Sequence, residues 1–133
     1  MYVCGLVIPV PEGRMEEYRR WAARSAAFFK EYGCLETVDA WEDNVPAGKQ
    51  TDFRRAVAAQ EGEKIVFCWQ IWPDKATLDE AEARMHQDPR MDVAPGDIPF
   101  DPRRLILGGF QPLFTMGRDR DFSDHPHTAP QPQ

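Results

Sequence analysis

The sequence predicts an α+β domain, and three observations carry that prediction. Stretches of apolar, β-branched residues alternate with stretches whose apolar residues recur every three or four positions. The strand-helix-strand order occurs twice. The chain has 133 residues, 42% of them hydrophobic, which suits one domain. A domain of this size buries roughly two-thirds of the surface its unfolded chain exposes, without disulfide or metal staples.

Residues 2–10, Tyr-Val-Cys-Gly-Leu-Val-Ile-Pro-Val, form a near-continuous apolar run stopped by Pro9 and Pro11, which predicts a first strand. From Pro11 the period changes. Met15, Tyr18, Ala22, Ser25 and Phe29 lie on one stripe, flanked by Trp21, Phe28 and Tyr32, while Glu16, Arg20, Arg24 and Lys30 occupy the other side. Pro11 and Glu12 open this helix and Gly33 closes it. Residues 34–43 predict a second strand, ending before Asn44 and the Pro46-Ala47-Gly48 turn, and charges on both of its faces mark it as an edge. The polar stretch from Lys49 to Glu63 has room for a short helix around Phe53 and Val57. Residues 64–72, Lys-Ile-Val-Phe-Cys-Trp-Gln-Ile-Trp, are the clearest strand, bounded by Gly62 and Pro73. Asp74 caps a further helix with Leu78, Ala81 and Met85 on one face and Glu80 and Arg84 paired on the other; Pro89 ends it. Pro95, Pro99 and Pro102 shape a loop leading to a fourth strand at residues 103–114, where Gly108-Gly109 point to a bulge or a close backbone approach. Residues 1–115 therefore make up the domain, and 116–133 a Pro/His-rich tail.

Two strand-helix-strand units in one small domain predict a ferredoxin-like βαββαβ sandwich, with a four-stranded antiparallel sheet and two helices on one face. Yet the strands are apolar on both sides: Ile65, Phe67, Trp69 and Ile71 alternate with Val66, Cys68 and Trp72. Leaving such side chains in water forfeits about 1.5–3 kcal/mol each. A second copy related by a two-fold axis covers the uncovered face most economically, so a homodimer is expected.

Charge and cysteine usage narrow the function classes. With 16 Lys/Arg against 22 Asp/Glu and no basic block, the net charge of −6 argues against a nucleic-acid or anionic-membrane partner. The 3 cysteines, Cys4, Cys34 and Cys68, are scattered without a C-x-x-C pair and read as buried and reduced. No apolar run reaches membrane-spanning length and the first residues lack a basic leader, so a cytoplasmic location is the expectation.

Several phrases in order, Tyr2-Val3-Cys4-Gly5-Leu6-Val7-Ile8-Pro9-Val10-Pro11, Val45-Pro46-Ala47-Gly48-Lys49, Phe53-Arg54-Arg55-Ala56-Val57, Asp88-Pro89-Arg90-Met91, Pro99-Phe100-Asp101 and Arg104 through Gly108-Gly109-Phe110, carry a resemblance. Over residues 2–115 the chain resembles the uncharacterised YbaA-like family (domain of unknown function 1428) of the dimeric α/β-barrel superfamily. The resemblance implies a ferredoxin-like protomer and a dimer that closes into an α/β barrel, and it brings no established activity. Arg54 departs from the family pattern, which reads Phe-Pro-Arg there, and the extension after Thr115 lies outside it.

Candidate site residues follow from chemistry. Asp39 lies on the second strand between Glu36 and Asp43, and Trp41 shares its side in a regular register. A carboxylate facing a partly apolar pocket is suited to acid/base work, and a solvated strand edge is the alternative. His86, near the end of its helix, is the other acid/base candidate; there its cation also suits the helix C-terminus. Arg54 and Arg104 can clamp a carboxylate ligand or pair with Asp101 and its neighbours. Trp69, with Tyr2, Phe67 and Trp72, can line a cavity or pack the core. His125 and His127 form a His-Pro-His pair with no carboxylate or cysteine placed to complete a metal site. No nucleophile-elbow, zincin, P-loop or dinucleotide motif is present, and no cofactor is implied. These features support binding of a small apolar or aromatic molecule. Two alternatives stand beside it. One is a cofactor-independent oxygenase or isomerase, by analogy within the superfamily, with Asp39 or His86 as base and Arg54 or Arg104 steadying an anion. The other is an interaction module whose interior is filled by its own aromatic side chains.

Overall fold

The computed structural model describes residues 1–117. The tail from residue 118 onward, with Phe122, His125 and His127, lies outside the described residues. The elements are β1 (Tyr2–Pro11), α1 (Met15–Glu31), β2 (Glu36–Trp41), α2 (Phe53–Ala56), β3 (Glu63–Trp72), α3 (Lys75–His86) and β4 (Ile106–Phe110). Single 3-10 turns occupy Glu12–Arg14, Pro89–Met91 and Pro95–Asp97. The strands form one four-stranded sheet in the order β2-β3-β1-β4, with every neighbouring pair antiparallel. The molecule is therefore α+β with an open antiparallel sheet.

The local signals behave as their chemistry requires. The α1 C-terminus closes in a Schellman arrangement: the Cys34 amide donates to Phe29 O at 2.9 Å and the Gly33 amide to Lys30 O at 3.1 Å, with Gly33 at φ 112°. A Cβ at Gly33 would also meet Thr77 Cγ2 at 2.8 Å, so α1 and α3 touch there. At the start of α3, Asp74 Oδ1 accepts from the Thr77 amide at 2.7 Å, and Asp52 caps α2 by accepting from the Arg55 amide at 2.8 Å.

Two strands are shorter than their apolar runs. β2 occupies Glu36–Trp41 because residues 33–34 are used to close α1. β4 begins only at Ile106, because Asp101 and Arg104 are tied in a turn, the Arg104 amide donating to Asp101 O at 3.1 Å. The glycine pair in β4 marks a close approach and no bulge. The pairing runs one to one from Val3↔Phe110 to Val7↔Ile106, and a side chain at Gly109 would collide with the Tyr2 ring and hydroxyl.

Alternation along the paired strands divides the sheet into two faces. Cys4, Leu6, Ile8 and Val10 of β1, Val66, Cys68 and Trp72 of β3, and Asp39 and Trp41 of β2 share the face covered by α1 and α3. Its core has two parts. Trp72, Cys4 and Cys34 pack with Leu78 and Ala81 of α3, while Ile8, Val10 and Val66 pack with Tyr18 of α1. Phe100, brought in by the Pro-rich loop, sits edge-on to Trp21 with centroids 5.5 Å apart. The opposite face carries Val38, Phe67, Trp69, Ile106 and Phe110, and α2 roofs only part of it, setting Phe53 edge-on to Phe67 at 6.0 Å. Phe67 is 43% exposed and Phe110 59%.

Candidate functional site

Tyr18 is the one buried residue of α1, and a buried phenol needs a hydrogen-bond partner. The β2 register supplies it: Asp39 lies opposite Cys68 on the helix-covered face, and the Tyr18 hydroxyl donates to Asp39 Oδ1 at 2.7 Å. Burial, and then the Asp39 carboxylate, push the Tyr18 hydroxyl far above its ordinary range, so it keeps its proton and serves as a hydrogen-bond donor to Asp39. The same two causes raise the neighbouring Cys68 thiol to about 12. Cys4 and Cys34 are raised as well, mainly by burial, so all three free thiols are buried and unreactive in character.

Beside this hydrogen bond a cleft of about 140 Å3 opens between α1 and β2, lined by Met15, Tyr18, Arg19, Ala22, Asp39, Trp41 and Val66. Asp39 stands at its exposed side with the Trp41 ring on the same face, two positions along the strand. The cleft thus has apolar walls, one carboxylate acceptor and one cationic side chain, the mixture that orients a small ligand.

The arginine candidates are placed elsewhere. Arg104 makes a two-pronged contact with Glu63, Nη1 to Oε1 at 2.8 Å and Nη2 to Oε2 at 2.6 Å, while its Nε donates to Asp101 Oδ2 at 3.2 Å and Nη1 also to Ala58 O at 3.1 Å. Arg54 donates to Glu63 O at 2.9 Å, Gln60 O at 3.1 Å and Glu42 Oε1 at 3.4 Å. Hydrogen bonding from Arg104 holds the Glu63 carboxyl below its usual range. Arg103, with a lesser contribution from Arg104, lowers Asp101 to about 2. The three ligand-binding candidates Arg54, Asp101 and Arg104 are therefore brought together, but in a network whose donors are spent on internal acceptors, and which ties the 42–63 connection to the start of β4.

Trp69 lies on the opposite face from Trp41, and its indole donates to Glu36 Oε2 at 3.1 Å across the β2–β3 pair. The aromatic group is divided likewise: Trp72, with no exposed surface, and Tyr2 belong to the core under α3, whereas Phe67 and Trp69 meet at a tilt on the open face with centroids 6.0 Å apart. His86 is exposed at the last residue of α3, an element that packs against the Trp72 cluster and not the Tyr18 cluster. It does not line the cleft that Asp39 lines. Among the described residues no group of three or more His, Cys, Asp or Glu is arranged to hold a metal ion.

Sequence reasoning placed Asp39 and Trp41 on one side but did not single out Tyr18, Met15 and Arg19, the α1 half of the cleft. The available signal was Tyr18 itself, a residue on the inward stripe whose hydroxyl has to meet an acceptor; the nearest carboxylate on a facing strand is 21 residues away in sequence.

Comparison with known proteins identifies the family but adds no chemistry. A family model described as a protein of unknown function (DUF1428) matches residues 1–102. The chain is 46% identical over 112 residues to the uncharacterized protein YbaA of Escherichia coli strain K12, a match covering 84% of this chain and 96% of that protein. The uncharacterized protein YbaA of Shigella flexneri is similar to the same degree, 46% over 112 residues. With more than two-thirds of its length matched by both comparisons, the chain belongs to the DUF1428 family of proteins of unknown function.

Proposed function

We propose that this protein is a cytoplasmic homodimer of ferredoxin-like protomers that binds a single-ring, amphipathic molecule in the cleft between α1 and β2. The cleft carries the reading. Its volume of about 140 Å3 is close to that of cavities that accept one benzene ring, and its single carboxylate stands where a ring hydroxyl or amine would find an acceptor. The strand order β2-β3-β1-β4, with both long helices on one face, supports the ferredoxin-like protomer. The exposed Phe67, Ile106 and Phe110 support a second copy on the open face. Three free, buried cysteines suit a reducing compartment.

Titration of the protein with phenol and benzylamine, followed by amide chemical shifts, tests the binding reading. Saturable shifts at Tyr18, Asp39 and Trp41 that vanish in the Asp39→Ala variant are expected. Shifts that fail to saturate, or that ignore the substitution, would leave the interaction-module reading instead. The enzyme reading has one observation in its favour, the 2.7 Å Tyr18–Asp39 hydrogen bond, in which a buried hydroxyl orients an exposed carboxylate at the cleft. In that reading Asp39 is the base, Tyr18 positions it, and His86 has no part.

A further inference from the structure

The two edges of the sheet are built differently. β2 carries Glu36 and Asp39, charges of the kind that blunt an edge against unwanted pairing. β4, the other edge, is Ile-Leu-Gly-Gly-Phe, and no residue from Leu105 to Gly117 is charged. The chain continues past Phe110 through Gln111 and Pro112 into Leu113, Phe114 and Met116, which are 99%, 75% and 82% exposed. An uncharged edge followed by a greasy segment is a hazard unless both are covered.

A dimer formed only through the open face does not cover them. Register places Leu107 opposite Leu6, on the helix side of the sheet, where it is 65% exposed at the β4 edge. A second sheet stacked on the other face leaves Leu107 in water. Area points the same way. At about 200 Å2 per large apolar side chain, the exposed parts of Phe53, Phe67, Ile106 and Phe110 come to about 380 Å2, against the roughly 800 Å2 that each partner buries in a stable interface. Leu107, Leu113, Phe114 and Met116 add about 640 Å2 on the same scale and close the gap.

We propose that residues 111–116 of each protomer form an arm that wraps the β4 edge of a second copy of this chain and covers Leu107 there. The inference rests on the dimer reading above. Within one chain the arm and Leu107 are both exposed, so the arm does not cover its own edge. A two-fold axis makes the exchange reciprocal, so that each copy gives one arm and receives one, and no sticky edge is left over for a third chain.

Sedimentation of the full-length protein and three variants tests the arm. Leu107→Asp and Phe114→Asp should each raise the dimer dissociation constant by about 100-fold or more, because each substitution enters the interface twice. Phe67→Asp, on the open face, reports on the dimer itself. All three sites are exposed in the single chain, so the variants should fold, with circular dichroism as the check. A single subunit for the wild type at micromolar concentration overturns both the dimer and the arm. A wild-type dimer that Phe67→Asp dissociates, but whose constant is unmoved by Leu107→Asp and Phe114→Asp, keeps the dimer and overturns the arm. A protein carrying Leu107→Cys mixed with one carrying Phe114→Cys should yield a covalent heterodimer under mild oxidation, the native thiols being buried. If cross-linking appears only inside one chain carrying both substitutions, the exchange is wrong.

Discussion

Two polar clusters of similar composition do opposite things in this molecule. Around Glu63, two arginines meet carboxylates and carbonyls at 2.6–3.4 Å until nearly every donor is consumed. Around Asp39, the Tyr18 hydroxyl holds Oδ1 with the Cys68 thiol beside it, and the carboxylate still faces an open cleft. The first is closed on itself and low in exposure, Glu63 being 9% exposed. The second keeps an edge towards solvent. A satisfied network stabilises connections between elements, whereas a carboxylate held in place yet accessible can bind something else. Residue type does not distinguish them; the completeness of each set of partners does.

The sharpest break in the contrast comes at Glu63. Glu63→Ala strands the Arg104 guanidinium without its two-pronged partner and should cost about 3 kcal/mol, read as a lower urea midpoint, with ring binding at the cleft unchanged. A loss below about 0.5 kcal/mol would show that the network is ornamental. Acid probes the same pair. Because Arg104 lowers the Glu63 carboxyl beneath its ordinary 4.5, the pair's contribution is complete above that pH and drains away as pH falls through the lowered value. The urea midpoint should therefore drop on acidification below about pH 4.5, and Glu63→Gln should show a shallower drop.

At the other cluster the order of effects is reversed. Tyr18→Phe removes one hydrogen bond from a site that water reaches, for a stability loss of about 1 kcal/mol, while the affinity for a ring ligand should fall because Asp39 loses its anchor. Asp39→Ala strands the buried Tyr18 hydroxyl, so it should cost about 1–2 kcal/mol, less than Glu63→Ala, and should abolish ring binding. Equal losses of stability at Asp39 and Glu63 would erase the distinction between the clusters. The mildest test concerns the thiols. Burial raises all three, Cys68 to about 12, so a disulfide reagent at pH 8 should modify none of them until denaturant is added.

How much of this was legible beforehand varies with the distance over which a feature is built. The α1 stripe, its Gly33 stop, the Asp74 cap and the edge character of β2 each depend on residues within a turn or two of chain, and each was readable. So was the shared side of Asp39 and Trp41, which needs only the two-residue period of a strand. The Tyr18–Asp39 bond spans 21 residues and the Arg104–Glu63 contact 41. Glu63 itself, at the end of a polar stretch, gave no sign that it would be buried. The split of Phe67 and Trp69 from Trp72 and Tyr2 was implicit in alternation, yet which face α1 and α3 would cover was not.

Short-range order thus came from the amino-acid sequence alone: strand and helix periods, caps and stops, an excess of apolar strand surface over helical cover, and membership in a recognisable family. Tertiary structure decided which charges neutralise each other, which carboxylate keeps an open side, and where the uncovered apolar surface gathers. The physical reason is that periodicity and capping depend on neighbours along the chain. Hydrogen-bond completeness and solvent exposure depend on what distant segments bring to the same place, and that is settled only when the sheet order and register are.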